Sequence, residues 1–380
     1  MKSFYSSDFR LGILGGGQLG RMFIQEAINY DVRISVLDPA ADAPCRTCAH
    51  EFVQGSFNDF DTVYAFGKTV DLLTIEIEHV NLEALEKLES EGLRVYPSPA
   101  ILRIVKDKGL QKSYYKEHGI PTADFYLVND KSEIEQYKSE FPFMQKMRTG
   151  GYDGKGVQAL RNPNDLSAAF EGPSVLEKMI DFEKEIAVIV ARNVRGEVST
   201  FPLVEMEFNP EANLVEMLFS PASVSVEVGE KANRIAIDLA TKLNFVGLLA
   251  VEMFLCKDGS VLVNEIAPRP HNSGHHTIEA CTTSQYEQHM RSILGLPLGD
   301  TSLLQPAVMI NLLGEKGFSG KVIYRGLEEV MKMGGVHVHL YGKSETRPFR
   351  KMGHVTIVHT DLVEAKRRAK NVLDTLKVES

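Results

Sequence analysis

The chain has 380 residues, 43% hydrophobic and 24% charged, close to the globular average, so wholesale disorder is not expected and two to three domains are. Lys plus Arg number 42 against 51 Asp plus Glu, a net charge of −9, which argues against a general nucleic-acid or membrane-surface binder. With no tryptophan and 8% aromatics, stacking platforms for single strands are poorly supplied.

The chain begins MKSFYSSDFRLGILGGG, which lacks the basic, apolar and cleavage regions of a signal peptide, and no apolar run reaches membrane-spanning length. A cytoplasmic location is expected. The four cysteines, Cys45, Cys48, Cys256 and Cys281, suit a reducing compartment. Cys45 and Cys48 have the spacing of half a zinc knuckle, but no second pair follows, so they read as ordinary loop thiols.

Residues 11–14 form an apolar strand that runs into glycines. A helix follows over 19–28, with Leu19, Phe23 and Ala27 on one face. Residues 33–37 and 72–77 are further strands, and Asn81 caps a helix marked by Leu82, Leu85 and Leu88. Strands alternating with helices predict a doubly wound first domain with a parallel sheet. Ser98 and Pro99 open a helix expected to run to about His118 and stop at Gly119. Residues 185–263 read as strands around one helix carrying Ile235, Leu239 and Leu243. From about residue 305 a smaller unit has strands near 336–341 and 355–359, then a charged amphipathic helix to the end.

Five passages can carry chemistry. Gly15, Gly17 and Gly20 fit G-x-G-x-x-G between a strand and a helix, with Asp38 at the next strand end; alone, this suggests a dinucleotide-dependent oxidoreductase. Residues 150–156, GGYDGKG, place four glycines in seven around Lys155 and form a second phosphate candidate, with Lys146 just upstream. Between 248 and 267 two strand patterns flank Asp258 and Gly259, a hairpin signal. A two-residue turn pairs Lys257 with Ser260 and so sets Glu252 opposite Glu265, two like charges that a hard cation would reconcile, with the Asn264 amide oxygen adjoining. The run after it, with Arg269, His271, Asn272 and Ser273, can bind an oxyanion. His271, His275 and His276 offer a rival zinc reading without a clear fourth ligand. Lys343, Arg347, Arg350 and Lys351 form a late basic cluster suited to a phosphate monoester. His337 and His339 read as one polar face of a strand.

These passages, in this order, resemble the ATP-grasp superfamily. More finely, GGGQLGRM at 15–22, TIEIEHV at 74–80, GGYDGKG at 150–156, NEIAPRPHNSGH at 264–275 and the basic stretch from Gly342 to His354 resemble its N5-carboxyaminoimidazole ribonucleotide synthetases of purine biosynthesis. The resemblance implies a doubly wound N-terminal domain (1–100), a two-lobed ATP-grasp body (101–304) and a small C-terminal domain (305–380), α/β and α+β in class. It implies that ATP and bicarbonate form carboxyphosphate, which carboxylates the amine of 5-aminoimidazole ribonucleotide.

It further implies that Lys108, Lys146, Gly151, Gly154 and Gly156 meet the nucleotide phosphates. Glu177, Lys178, Met179 and Ile180 would meet adenine, and Glu185 the ribose. Glu252 and Glu265 would hold Mg²⁺ (or Mn²⁺), with Asn264 beside them. Tyr152, Asp153, Lys155, Arg269, His271 and Asn272 would serve the carboxyphosphate chemistry, and Gln18, Glu76, Asp153, Lys343, Arg350 and Lys351 the ribonucleotide. Lys108 stands where the family often has Arg, and Met206, Glu207 and Phe208 occupy a place where it usually has a histidine, so no site is set there. A homodimer is expected from the family. The alternatives are the oxidoreductase above, another ATP-grasp carboxylase or ligase, and a non-catalytic nucleotide sensor.

Overall fold

The computed structural model describes residues 3–151, 156–209 and 214–380. Five short apolar strands, β1 (Arg10–Leu14), β2 (Arg33–Asp38), β3 (Glu51–Gln54), β4 (Leu72–Ile75) and β5 (Arg94–Tyr96), form a parallel sheet in the order β3-β2-β1-β4-β5. Such strands are buried on both faces because their crossover helices cover both. Helix α1 (Gln18–Ile28) covers one face, while α2 (Phe60–Gly67) and α3 (Leu82–Ser90) cover the other through Val63, Phe66, Leu85 and Leu88. The Asn81 carbonyl oxygen accepts from Ala84 N at 2.8 Å, the expected cap.

The single helix expected to His118 is two: α4 (Pro99–Lys106) and α5 (Lys108–Glu117). Between them Asp107 is extended, and its carboxylate accepts from Gly109 N at 2.7 Å and Leu110 N at 3.2 Å, ending one helix and capping the next. A four-stranded antiparallel sheet follows: β6 (Phe125–Val128), β7 (Phe143–Met147), β8 (Val157–Leu160) and β9 (Ser174–Lys178), in the order β6-β9-β7-β8.

The largest sheet draws on β10 (Phe182–Arg192), β11 (Val198–Thr200), β12 (Val204–Asn209), β13 (Leu214–Ser220), β14 (Gly247–Cys256) and β15 (Val261–Ala267). Helix α6 (Val226–Lys242) lays Ala232, Ile235, Ala236 and Leu239 on Ile186, Val188, Leu249 and Val251 of that sheet. After it come α7 (Thr277–Ala280) and α8 (Gln285–Leu294), and α8 packs Tyr286, Met290 and Ile293 into the same core as Phe23 of α1.

The late strands do not make a sheet of their own. β16 (Ala307–Leu313) pairs with β13, so the large sheet continues across residue 305 through β16 to strands further on. Short strands β17 (Gly320–Lys321) and β18 (Ile323–Arg325), helix α9 (Leu327–Met331), β19 (Val336–Leu340), β20 (Glu345–Thr346) and β21 (Lys351–Val358) precede α10 (Leu362–Thr375). The order in the large sheet is β15-β14-β10-β12-β13-β16-β21-β19, with β11 on β10. The final helix does not close the chain: it stops at Thr375 and β22 (Lys377–Glu379) returns to pair with β18. Among the described residues no helix is long and apolar enough to cross a membrane.

Candidate active site

A cleft of about 390 Å³ opens between the four-stranded sheet and the large one. One end is apolar, lined by Met144, Val157, Phe182, Phe208, Leu214 and Phe254, and the other carries charge from Lys108, Lys146, Glu252, Glu265 and Lys351. A mostly apolar slot ending in convergent charges suits a ligand with a flat ring at one end and anions at the other.

The hairpin β14–β15 builds the charged end by a route other than the one expected. Cys256, not Lys257, pairs with Ser260, donating its N–H to Ser260 O at 2.8 Å, so the loop holds three residues. That longer loop alone would set Glu252 out of register. A bulge after Glu252 takes up one residue on β15, and Glu252 still faces Glu265. The bulge also turns Asn264 and Glu265, consecutive residues, into the same cleft.

Lys108 Nζ reaches Glu265 Oε2 at 2.5 Å, and its charge holds the Glu265 carboxyl well below the usual range. Glu252 moves the opposite way, because burial and the neighbouring Glu265 charge both disfavour its ionised form. Glu265 has 44% of its side-chain surface exposed, where it lines the cleft. Two oxygen-donor carboxylates facing one another, one of them pushed toward protonation by the other, fit a hard divalent cation. Asn264 is a poorer candidate ligand than expected, since its Oδ1 accepts from Lys146 Nζ at 2.8 Å.

Behind these lies an ion cluster that sequence reading caught only in part. Buried Glu177 bridges Lys146 Nζ at 3.0 Å and Lys112 Nζ at 3.3 Å. Burial opposes its ionisation, but the two lysines keep Glu177 below its usual range. Burial brings Lys112 down to about 8. Lys112 was missed, yet it stands four residues after Lys108 on α5, and that spacing places both on one helix face. Phe254 was missed too, although a period of two puts it on the face of Glu252; its ring stacks on Phe182 at 4.7 Å. Phe208, where no site was set, lines the slot. Glu185 also lines it, and burial raises its carboxyl to about 7.

The remaining expected residues divide between the cleft and a neighbouring region. Gly151, Lys178, Met179, Ile180, His271 and Asn272 line the cleft. His271 Nε2 lies 3.5 Å from Glu252 Oε1, and its main chain is clamped on both sides by the Gln285 side chain. Asn272 exchanges side-chain hydrogen bonds with Asn311 of β16 at 2.8 and 3.0 Å. Gly156 carries φ of +73° at the base of the glycine-rich loop, and its carbonyl accepts from Met147 N at 2.9 Å. Tyr152, Asp153, Gly154 and Lys155 lie outside the described residues.

Arg269 is not in the cleft. Its guanidinium pairs with Glu78, after β4, at 2.9 and 3.2 Å, and its charge reaches Glu76. The basic cluster is likewise split: Lys351 lines the cleft, whereas Lys343, beside Arg350, is within electrostatic reach of Glu76 and donates to Lys351 O at 2.7 Å. Arg350 donates to Glu345 O at 2.6 Å. His271, His275 and His276 do not assemble; His275 Nδ1 faces Tyr286 Oη at 3.0 Å, and no set of three metal-ligating side chains occurs among the described residues. His339 of β19 stacks on buried His354 and pairs with Glu279 at 2.6 Å.

The glycine turn at 15–20 is filled from within. Gly17 N and Gly20 N, at the start of α1, each donate to a Glu76 carboxylate oxygen at 2.6 Å, and Gly16 N donates to Asp38 at 2.7 Å. A Cβ on Gly15 would meet Glu76 Cγ at 2.5 Å, and φ there is +99°, so glycine is required. The N–H groups that would hold a dinucleotide pyrophosphate are therefore taken, which removes the basis for the oxidoreductase reading. Gln18 opens α1 beside them.

Residues 9–106, 113–286 and 307–368 match, in turn, the ribonucleotide synthetase preATP-grasp domain, the ATP-grasp domain and the phosphoribosylaminoimidazole carboxylase C-terminal domain. The chloroplastic phosphoribosylaminoimidazole carboxylase of Vigna aconitifolia is 40% identical over 93% of the chain, which spans 64% of that protein's length. The N5-carboxyaminoimidazole ribonucleotide synthetase of Thermotoga maritima superposes with a TM-score of 0.91 at 44% identity, covering 98% of this chain and 99% of that one. The Aspergillus clavatus synthase, solved with ADP and 5-aminoimidazole ribonucleotide, superposes at 0.88 with 32% identity, covering 97% and 99%.

Proposed function

The chain belongs to the N5-carboxyaminoimidazole ribonucleotide synthetase family of ATP-grasp enzymes, and from that membership we propose that it is a carbon–nitrogen ligase that carboxylates 5-aminoimidazole ribonucleotide at the expense of ATP and bicarbonate. The observation that carries this reading is the cleft itself: an apolar slot leading to Lys108, Lys146 and the facing pair Glu252 and Glu265.

Bicarbonate is a poor electrophile at its carbon. Transfer of the ATP γ-phosphoryl to a bicarbonate oxygen gives carboxyphosphate and ADP, and the ribonucleotide amine then takes the carboxyl group as phosphate leaves and the amine gives up a proton. Positioning and charge stabilisation do most of the work in phosphoryl transfer. The apolar slot takes adenine, with the 177–180 segment along it, and Glu185 takes the ribose hydroxyls. Lys108 and Lys146 hold the phosphates, while Lys112 and Glu177 behind them keep Lys146 aimed into the cleft. Glu252 and Glu265 would hold Mg²⁺ (or Mn²⁺), which screens the charge of the phosphates. His271 and Asn272 face the bicarbonate position. Tyr152, Asp153 and Lys155 are assigned to the same chemistry on the motif alone.

We assign the ribonucleotide to Gln18, Glu76, Arg269, Lys343 and Arg350, with Lys343 on its phosphate; Lys351, whose main-chain carbonyl accepts from Lys343, lines the cleft. We keep domain limits at 100 and 304, a homodimer and a cytoplasmic location as part of this proposal. The test is ADP release from ATP, Mg²⁺ and bicarbonate, with and without 5-aminoimidazole ribonucleotide. Strong stimulation with an acid-labile product is expected. ATP turnover indifferent to the ribonucleotide would leave another ATP-grasp ligase, and no turnover would leave a nucleotide sensor.

A further inference from the structure

Two thiols that this chemistry leaves unused lie directly beneath the glycine turn. Cys45 is buried and Cys48 half-buried on one tight turn, where Cys48 N donates to Cys45 O at 3.0 Å. Such a turn brings the two α-carbons within about 7 Å, close to the span that a disulfide bridges. Cys48 Sγ donates back to Cys45 O at 3.5 Å, and Cys45 Sγ reaches Gly17 O at 3.3 Å. The main chain is bolted at the same place, since Cys45 N donates to Gly16 O at 2.9 Å. Gly20 approaches so closely that a Cβ there would lie 2.9 Å from Cys45 Sγ.

The two thiols differ in the way a reactive pair does. The neighbouring Cys45 thiol and the charge of Arg21 lower the pKa of Cys48, while the neighbouring Cys48 and burial raise that of Cys45. Arg21 is held beside the turn, donating to Pro44 O at 3.1 Å.

We propose that Cys45 and Cys48 form a redox-active dithiol whose oxidation loosens the 15–20 turn and thereby weakens ribonucleotide binding. The effect on the substrate rests on the function proposed above; the disulfide does not. The Cys48 thiolate attacks one sulfur of a low-molecular-weight disulfide such as oxidised glutathione, breaking its S–S bond and releasing one thiolate. Cys45 then gives its proton to water and attacks the Cys48 sulfur, displacing the second thiolate. The protein loses two thiol hydrogens, the oxidant gains the two electrons, and one S–S bond has exchanged for another. Cys45 can then no longer donate to Gly17 O, and its sulfur must turn toward Cys48.

The full-length chain is equilibrated in glutathione buffers of rising oxidised fraction and followed by peptide mass, by amide hydrogen exchange and by kinetics. Expected are a 45–48 peptide lighter by two hydrogens, faster exchange across 15–20, and a KM for the ribonucleotide about fivefold higher, the scale of one lost hydrogen bond. KM for ATP stays unchanged. Dithiothreitol reverses every change, and Cys48→Ser, active when reduced, shows none. A stable glutathione adduct without an internal link overturns the proposal, and so does a link that leaves exchange at 15–20 unaltered. If the reduced chain shows no ribonucleotide-dependent ADP release, the assigned function fails by itself, because the mass and exchange measurements still decide the dithiol.

Discussion

Lys343 illustrates how burial sets a pH limit on a binding residue. Burial, with Arg350 nearby, brings its ammonium down to about 8. Above that value the free enzyme loses the charge assigned to the substrate phosphate, so kcat/KM for the ribonucleotide should fall as pH rises through about 8. A ribonucleotide profile flat to pH 10 would contradict the assignment. Stability runs the other way: between about 8 and the ordinary 10.5 the unfolded chain binds more protons at this lysine, so its contribution to stability improves with pH across that window. Glu265 supports a second prediction. Glu265→Ala should lower kcat by about 10²–10³-fold with circular dichroism unchanged, and recovery at saturating Mg²⁺ would overturn its role as a ligand. At this scale the sequence showed which charges matter but not which meet. Lys343 and Lys351 look like one cluster along the chain; folding keeps Lys343 Nζ on Lys351 O but puts only Lys351 into the lining of the cleft.

The elements that aim these residues differ in how far they can be read. The hairpin β14–β15 was legible in its outcome, Glu252 opposite Glu265, but not in its construction, because a three-residue loop and a bulge cancel in the register. A period-two pattern cannot reveal two compensating shifts. The break at Asp107 was missed for a related reason: helical pattern continues on both sides of it, and Asp107 is held extended by capping α5 while pairing with Arg148 at 2.6 Å. Asp107→Ala removes that pair and the cap of α5, and should lower Tm by about 2–4 °C and raise KM for ATP, since Lys108 is the next residue. Asp107→Asn keeps the cap and should recover most of the Tm. Equal loss in both variants would assign the effect to the ion pair alone. On β21, Lys351→Ala should raise KM for both ATP and the ribonucleotide, because Lys351 lines the cleft, whereas Lys343→Ala raises only the latter; identical profiles would contradict that division.

For the whole molecule, continuity across the expected domain limits is the main finding. β16 hydrogen-bonds to β13, β21 to β16, and α8 shares a core with α1, so each unit completes its neighbour. A chain ending at residue 304 would expose the β13 edge and lose the cover of Phe219 and Met217, which sit in a core with Val308 and Ile310. It should be recovered as aggregate, and a soluble, monodisperse fragment by size-exclusion chromatography would show that the sheet tolerates division there. The same continuity couples Asn272, which lines the cleft, to Asn311, beyond residue 305.

Short-range order was determined by the sequence: the alternation of strands and helices in the N-terminal domain, the Asn81 cap, the glycines of the 15–20 turn and the motifs that mark the family all depend on residues within a few positions of one another, where propensity and spacing act directly. The meetings between distant segments were decided only by the tertiary structure. Glu76 filling the turn at 15–20 from a strand some sixty residues away, Arg269 pairing with Glu78 and Lys112 closing on Glu177 are such meetings. Each joins groups whose approach depends on the packing of whole sheets, and a charge in the sequence carries no mark of the partner that burial will assign to it.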